Sequence, residues 1–134
     1  MTMADLVEKE LSYQVNGVLF DVYNALGGGY PEKYYQRAIS EALKKKYIQF
    51  QEQLMVPLDY DGVSIGRFFL DFYIEGKLIL EIKSAPRLYP RDEKQVLSYL
   101  KRHNVKLGIL VNFGRQKLVI RRILRGSIRD NSRS

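Results

Sequence analysis

Three charged residues interrupt two otherwise apolar segments near the middle of the chain: Asp71, Glu81 and Lys83. The segments flank a turn signal at residues 75–77, so the sequence predicts a β-hairpin over residues 70–83. Two carboxylates that converge from adjacent strands can hold Mg²⁺ or Mn²⁺ through oxygen ligands. A lysine beside them can orient an attacking water or stabilise charge that develops on a phosphate.

The length of the turn decides whether the two carboxylates meet. A three-residue loop places Asp71 opposite Glu81, because side chains alternate between the faces of a strand. The other face is then entirely apolar: Leu70, Phe72, Ile74, Leu78, Leu80 and Ile82. A two-residue loop would mix charged and apolar side chains on both faces, which is disfavoured when one face is buried. Since directly opposed like charges destabilise a strand pair, we expect a divalent cation between them, with the Ile82 carbonyl as a further ligand.

The composition is typical of one globular domain spanning residues 1–134. Cysteine is absent, which excludes disulfides and thiolate metal sites and fits a cytoplasmic location. No apolar run approaches the roughly 20 residues of a membrane span, so we expect no membrane association. The net charge of +7, from 22 basic and 15 acidic residues, favours a polyanionic partner such as nucleic acid.

Hydrophobic periodicity predicts the element order α-α-β-β-β-α-β-β. The helices are expected at residues 4–26, 31–46 and 91–103, and the strands at 48–57, 63–74, 77–84, 106–113 and 117–124. A helix between the third and fourth strands indicates a crossover connection and hence a mixed sheet flanked by helices, an α/β (α+β) fold. We expect residues 125–134 to form a flexible basic tail.

Five blocks of the sequence resemble the GxxExxY proteins of the PD-(D/E)xK nuclease-like superfamily. The first block, residues 29–35, has the G-x-x-E-x-x-Y form with Gly29, Glu32 and Tyr35. The other blocks are Gly66-Arg67-Phe68, Leu80 to Ser84, Gln95 to Leu100 and Gly108 to Gly114. The resemblance covers about residues 15–125 and implies a restriction-endonuclease-like core. Leu70 stands where the superfamily often has a proline before the aspartate, at a position that is degenerate among its members.

The resemblance also implies roles for particular residues. Asp71 and Glu81 would be the principal metal ligands, Lys83 the catalytic lysine, and Glu32 an acidic residue that reaches the metal directly or through water. Gln95 and Tyr99 match the Q-x-x-x-Y element of RecB-like nucleases. Their i, i+4 spacing places both on one helix face, where an amide and a phenol can contact DNA or the water network.

Arginines make the last predicted strand and the tail basic. Arg121 and Arg122 lie in the strand, and Arg125, Arg129 and Arg133 follow them. We expect Arg121 and Arg122 to contact nucleic-acid phosphates. A solvated basic segment without a ligand is the competing interpretation.

The residues and the resemblance together favour a metal-dependent nuclease that hydrolyses phosphodiester bonds, with DNA the expected substrate. The alternative is a non-catalytic module that uses the same fold to bind nucleic acid or a protein. The simplest structural interpretation is a cross-strand salt bridge among Asp71, Glu81 and Lys83. A domain this small offers little surface to grip a duplex, so we also expect a homodimer. The nuclease hypothesis requires Glu32, Asp71, Glu81, Lys83 and Gln95 to converge in one cleft.

Overall fold

The computed structural model describes residues 8–125 and 127–130. Its helices are α1 (Lys9–Leu26), α2 (Glu32–Lys45) and α3 (Pro90–His103). Its strands are β1 (Phe50–Tyr60), β2 (Val63–Ile74), β3 (Leu78–Lys83), β4 (Leu107–Phe113), β5 (Leu118–Leu124) and β6 (Ser127–Asp130). None of the helices in this part of the chain combines the length and apolar character that a membrane crossing requires.

The strands form one mixed sheet in the spatial order β1-β2-β3-β4-β5-β6. Neighbouring strands are antiparallel except β3 and β4, which are parallel and are joined by the crossover through α3. One apolar cluster lies between the sheet and helices α1 and α2, and a second lies between the sheet and α3. The predicted fold class, a mixed sheet with helices on it, is therefore confirmed.

The predicted element order is also confirmed, and a short strand is added at its end. Residues 127–130 pair with β5 as β6, within the segment that was expected to be a flexible tail. Local sequence gives little sign of this strand, because β6 depends on the exposed edge of β5 for its hydrogen bonds. Residues 1–7, 126 and 131–134, which include the start of the predicted first helix, lie outside the described residues.

The hairpin has the predicted register and three-residue loop. Ile74 pairs with Leu78, and Phe72 pairs with Leu80. One side chain departs from the predicted alternation: Leu70 contributes to the cluster under α3, whereas Phe72 lies in the cluster under α1 and α2. The alternation breaks where the pairing of β1 with β2 is interrupted, at Gln53 and Asp71, and Gln53 has a φ of 51°.

A glycine-rich connection holds the start of α2 against the end of β4. A Cβ atom on Gly28 would lie 1.8 Å from the carbonyl oxygen of Gly114, so only glycine fits this close approach. Tyr35 stacks on Phe113, with ring centroids 4.1 Å apart. Its hydroxyl donates to the Gly27 carbonyl at 2.7 Å and accepts from the Tyr30 amide at 3.1 Å. The glycines and Tyr35 of the motif thus fix where Glu32 begins its helix.

Substitution of Gly28 by alanine should destabilise the protein, since the new methyl group would collide with main chain that cannot move aside cheaply. We expect Gly28→Ala to lower the free energy of unfolding by about 1–3 kcal/mol. Gly17→Ala is the matched control, because a Cβ there meets nothing within 4 Å. It should stabilise helix α1 by about 0.5–1 kcal/mol. Urea denaturation measures both, and equal stabilities would contradict the close approach at Gly28.

Candidate active site

The two carboxylates of the hairpin replace main-chain pairing at the point where β2 and β3 separate. The Asp71 amide donates to Glu81 Oε1 at 2.8 Å, and the Ile82 amide donates to Asp71 Oδ2 at 2.8 Å. Each acidic side chain therefore accepts a hydrogen bond from the opposite strand. This exchange satisfies two amides beyond the last main-chain pair and fixes the positions of both carboxylates.

The remaining oxygens of the pair have unequal surroundings. Gln53 donates to Asp71 Oδ1 at 3.3 Å and also to Gln36 at 2.9 Å. No donor among the described residues reaches Glu81 Oε2. This second oxygen therefore keeps its capacity to accept a proton donor or to bind a cation.

Burial and mutual repulsion dominate the electrostatics of the pair. Glu81 is only 5% exposed, and burial followed by the charge of Asp71 raises its pKa to about 8. The pKa of Asp71 is also raised, chiefly by burial and further by the charge of Glu32. The amide donors and Lys83 act in the opposite direction without cancelling these effects. The pair is thus difficult to ionise fully unless a cation compensates its charge.

Lys83 follows Glu81 on the same face and lies near the start of α3. Its Nζ is 3.9 Å from Asp92 Oδ1, and the other oxygen of Asp92 accepts from the Tyr89 amide at 2.8 Å. Asp92 therefore caps α3 and stands beside the candidate catalytic lysine. The sequence analysis missed Asp92, although an acidic residue in the first turn after Pro90 is a recognisable capping signal.

Gln95 and Tyr99 lie one turn apart on α3, and the Tyr99 hydroxyl is close enough to Glu81 and Asp71 to feel their charges. Tyr99 is fully buried, with its ring 4.7 Å from that of Phe68. Its pKa is raised first by burial and then by the charges of Glu81 and Asp71, so the phenol stays protonated and can donate. The hydroxyl faces the Gln95 amide without reaching standard hydrogen-bond geometry, and no other described residue bonds it.

Glu32 occupies the first turn of α2 and is exposed. It lies close enough to the pair to raise the pKa of both Asp71 and Glu81. Within the described ranges, no three His, Cys, Asp or Glu side chains gather tightly enough to hold a metal on their own. Glu32 is therefore a neighbour of the Asp71–Glu81 pair, and its contact with a metal, direct or through water, stays a prediction.

The two arginines proposed for phosphate contact lie on opposite faces of β5. Arg121 is on the α3 face, with its Nε 3.5 Å from Glu93 Oε1. Arg122 is only 8% exposed and donates to the Ser12 hydroxyl of α1, in the other layer. Arg122 is thus not presented to a ligand at this site, contrary to expectation. Strand alternation already implied that two consecutive arginines could not share one face.

Comparison with known proteins agrees with this geometry. The sequence matches the PD-(D/E)XK nuclease superfamily over residues 9–123. The chain belongs to that superfamily. Among curated proteins, none matches the sequence significantly.

A solved structure supports the fold of this PD-(D/E)XK domain. The crystal structure of SSO0001 superposes with a TM-score of 0.55 at 17% sequence identity. The match covers 90% of this chain but only 61% of SSO0001, so this chain spans less than two thirds of that protein's length. At this identity the similarity describes the arrangement of the elements and not a shared activity.

The donor set of this PD-(D/E)XK domain suits a divalent cation. Superfamily nucleases generally use divalent metals, and hard cations such as Mg²⁺ prefer carboxylate and carbonyl oxygens. Asp71 and Glu81 supply carboxylates with raised pKa values, Glu81 is buried and Asp71 half-buried, and Glu81 Oε2 is not engaged by a described donor. The main-chain carbonyl of Ile82 is the predicted third ligand, while the Ile82 side chain is buried in the opposite layer.

The raised pKa of Glu81 predicts how the stability of the metal-free protein depends on pH. The folded state holds the Glu81 proton more tightly than the unfolded chain, with a pKa of about 8 against an ordinary value of 4.5. In EDTA, the free energy of unfolding should therefore decrease as the pH rises from 4.5 to about 8. Glu81→Gln keeps an oxygen that can accept from the Asp71 amide, but it cannot ionise.

Thermal unfolding across this pH range tests the prediction. Relative to the wild type, Glu81→Gln should gain melting temperature at the alkaline end and differ little at the acidic end. Glu10→Gln, which changes an exposed carboxylate of α1, is the matched control and should keep the wild-type pH dependence. The same pH dependence in the wild type and in Glu81→Gln would contradict the assignment.

Proposed function

We propose that this PD-(D/E)XK domain is a metal-dependent nuclease that hydrolyses phosphodiester bonds in nucleic acid, with DNA the expected substrate. The observation that carries the proposal is the Asp71–Glu81 pair, in which Glu81 is buried and both carboxylates accept from main-chain amides, with Lys83 two residues beyond Glu81 on β3. The G-x-x-E-x-x-Y motif at residues 29–35 supports the narrower proposal that the chain is one of the GxxExxY proteins.

In this proposal Asp71, Glu81 and the Ile82 carbonyl hold Mg²⁺ or Mn²⁺, and Glu32 assists from the start of α2. When bound, such an ion lowers the pKa of a coordinated water and neutralises charge on the phosphate. The hydrogen bonds that fix both carboxylates keep the ligands in place before the ion binds, which reduces the ordering cost of binding.

Other side chains of this face supply hydrogen-bond donors. Lys83 lies between the carboxylates and Asp92, where its ammonium group can orient the attacking water or stabilise the phosphate oxygens. The protonated Tyr99 hydroxyl and the Gln95 amide can donate to the water network or to the substrate strand. Arg121, on the same face of the sheet, adds positive charge toward a polyanion.

Removal of a ligand charge tests the proposal directly. Asp71→Asn and Glu81→Gln should each lower cleavage of DNA in Mg²⁺ or Mn²⁺ by about 100-fold or more, because the ion and its electrostatic stabilisation are lost. Both variants should remain folded by circular dichroism and lose the increase in melting temperature that Mn²⁺ gives the wild type. Glu10→Gln is the control and should cleave normally. Wild-type cleavage rates in Glu81→Gln would rule out this active site.

Substitution of the lysine separates chemistry from metal binding. Lys83→Met should lower the cleavage rate by about 100- to 10,000-fold, the usual contribution of a positioned acid–base group. The Mn²⁺-induced rise in melting temperature should persist, since both carboxylates remain. A Lys83→Met variant that cleaves at the wild-type rate would exclude the lysine from the reaction.

A non-catalytic binding module is the second candidate. It is favoured by the absence, within the described residues, of a third carboxylate or imidazole close enough to complete a side-chain cluster. A wild-type protein that binds nucleic acid, but neither cleaves it nor gains stability with Mg²⁺ or Mn²⁺, would establish this alternative and exclude the nuclease.

A further inference from the structure

A cleft of about 960 Å³ adjoins the carboxylate pair but contains none of the candidate ligands. Its walls come from three connections, residues 29–31, 84–88 and 112–117, and from Val119 and Arg121 of β5. Ser84 in its wall directly follows Lys83, and Arg121 in its wall pairs with Glu93, the residue after the Asp92 that faces Lys83, so the cleft lies beside the candidate active site. We call this space the basic cleft.

The walls of the basic cleft are tied to one another. The Ser84 hydroxyl donates to the Tyr30 carbonyl. The Asn112 side chain accepts from the Ala85 amide at 2.9 Å and donates to the Ala85 carbonyl at 3.0 Å. These bonds connect residues 84–88 to residues 29–31 and to residues 112–117. The cleft is therefore formed without a ligand. A preformed site spends little binding free energy on ordering.

The charged side chains of the described lining are all basic. Arg115 and Lys117 are exposed on the β4–β5 turn, and Arg87 stands on the facing wall with its guanidinium 4.8 Å from the centre of the Tyr89 ring. Arg121 lies deeper and is paired with Glu93. None of the lining residues in the described ranges is acidic, whereas the adjoining pair is. The cleft therefore attracts an anion that the carboxylates alone would repel.

The volume of the basic cleft and the residues at its rim indicate which class of anion it binds. A cavity of about 960 Å³ has the size of a ligand of nucleotide or dinucleotide dimensions and is smaller than a segment of duplex. Tyr30, 49% exposed, presents an aromatic ring at the rim beside Pro31. Aromatic rings beside cations are the usual platform for unpaired nucleotides, since bases stack while phosphates meet the cations.

We propose that the basic cleft binds one or two unpaired nucleotides next to the phosphate that is cut, so that the substrate carries a single-stranded segment there. This assignment rests on the proposed nuclease function and adds the form of its substrate. Arg87, Arg115 and Lys117 contact the phosphates, and Tyr30 stacks on a base.

Binding in EDTA tests the cleft independently of cleavage. The probe is a fluorescent octamer of deoxythymidine, followed by anisotropy over a series of salt concentrations. Arg115→Ala combined with Lys117→Ala should weaken binding at least about 10-fold. It should also make the slope of log K against log salt shallower by about 1.4, the value expected for two lost phosphate contacts. The combined change Lys101→Ala and Arg125→Ala removes the same charge from exposed positions at the other end of the sheet. This control should change binding less than about twofold.

Two further measurements complete the test. Tyr30→Ala should weaken octamer binding about 5-fold or more, and a blunt duplex should compete with the octamer poorly. If the double change on the turn impairs folding, Arg87→Gln tests the facing wall in the same assay. The proposal is overturned if the cleft variants bind the octamer like the wild type, if the control loses as much affinity, or if a blunt duplex is preferred. None of these results would affect the cleavage test, in which Glu81→Gln loses metal-dependent activity. The nuclease proposal and the cleft proposal can therefore fail separately.

Discussion

The reciprocal hydrogen bonds between Asp71 and Glu81 are the constraint on which the rest of the site depends. Where β2 and β3 diverge, two amides would lose their partners, and the two acidic side chains accept them instead. Charge-assisted bonds of this kind offset part of the cost of burying carboxylates, but they leave the repulsion between them in place. The raised pKa of Glu81 expresses that remaining cost. The hairpin is thus built to hold two acids together at the expense of its own stability in the metal-free state.

The glycine-rich connection gives the motif around Glu32 a physical interpretation. Gly28 allows the main chain to approach Gly114, and the Tyr35 hydroxyl ties the two sides of the connection together. Among the residues of the motif, only Glu32 acts through its charge on the Asp71–Glu81 pair. The motif therefore combines one residue placed for chemistry with neighbours that determine where its helix begins, and a loss of either would displace the charge.

Much of the fold followed from local patterns, whereas the site depended on contacts that local patterns do not contain. Alternation along the hairpin predicted the pairing of Phe72 with Leu80, because an all-apolar face allows one register only. The same rule misplaced Leu70, since a single distorted position near Gln53 reverses the faces. Asp92, Arg115 and Lys117 were missed because α3 and the β4–β5 turn bring them to this side of the sheet through tertiary contacts. The functional roles of the site residues remain predictions.

Two acidic residues at the start of α3 lie beside two basic residues of the sheet. Asp92 lies beside Lys83 and Glu93 pairs with Arg121, so two consecutive acidic residues hold two cations on the α3 face of the sheet. Of these two cations, Lys83 acts on the charges of the Asp71–Glu81 pair, and Arg121 lines the basic cleft. A polyanion that enters the cleft would bring its phosphates toward carboxylates that repel them until a divalent cation compensates the charge. If the proposed function is correct, metal and substrate must therefore strengthen each other's binding, because each lowers the electrostatic cost of the other. Such reciprocity follows from placing a desolvated acidic pair next to a cationic cleft, and it requires no conformational change.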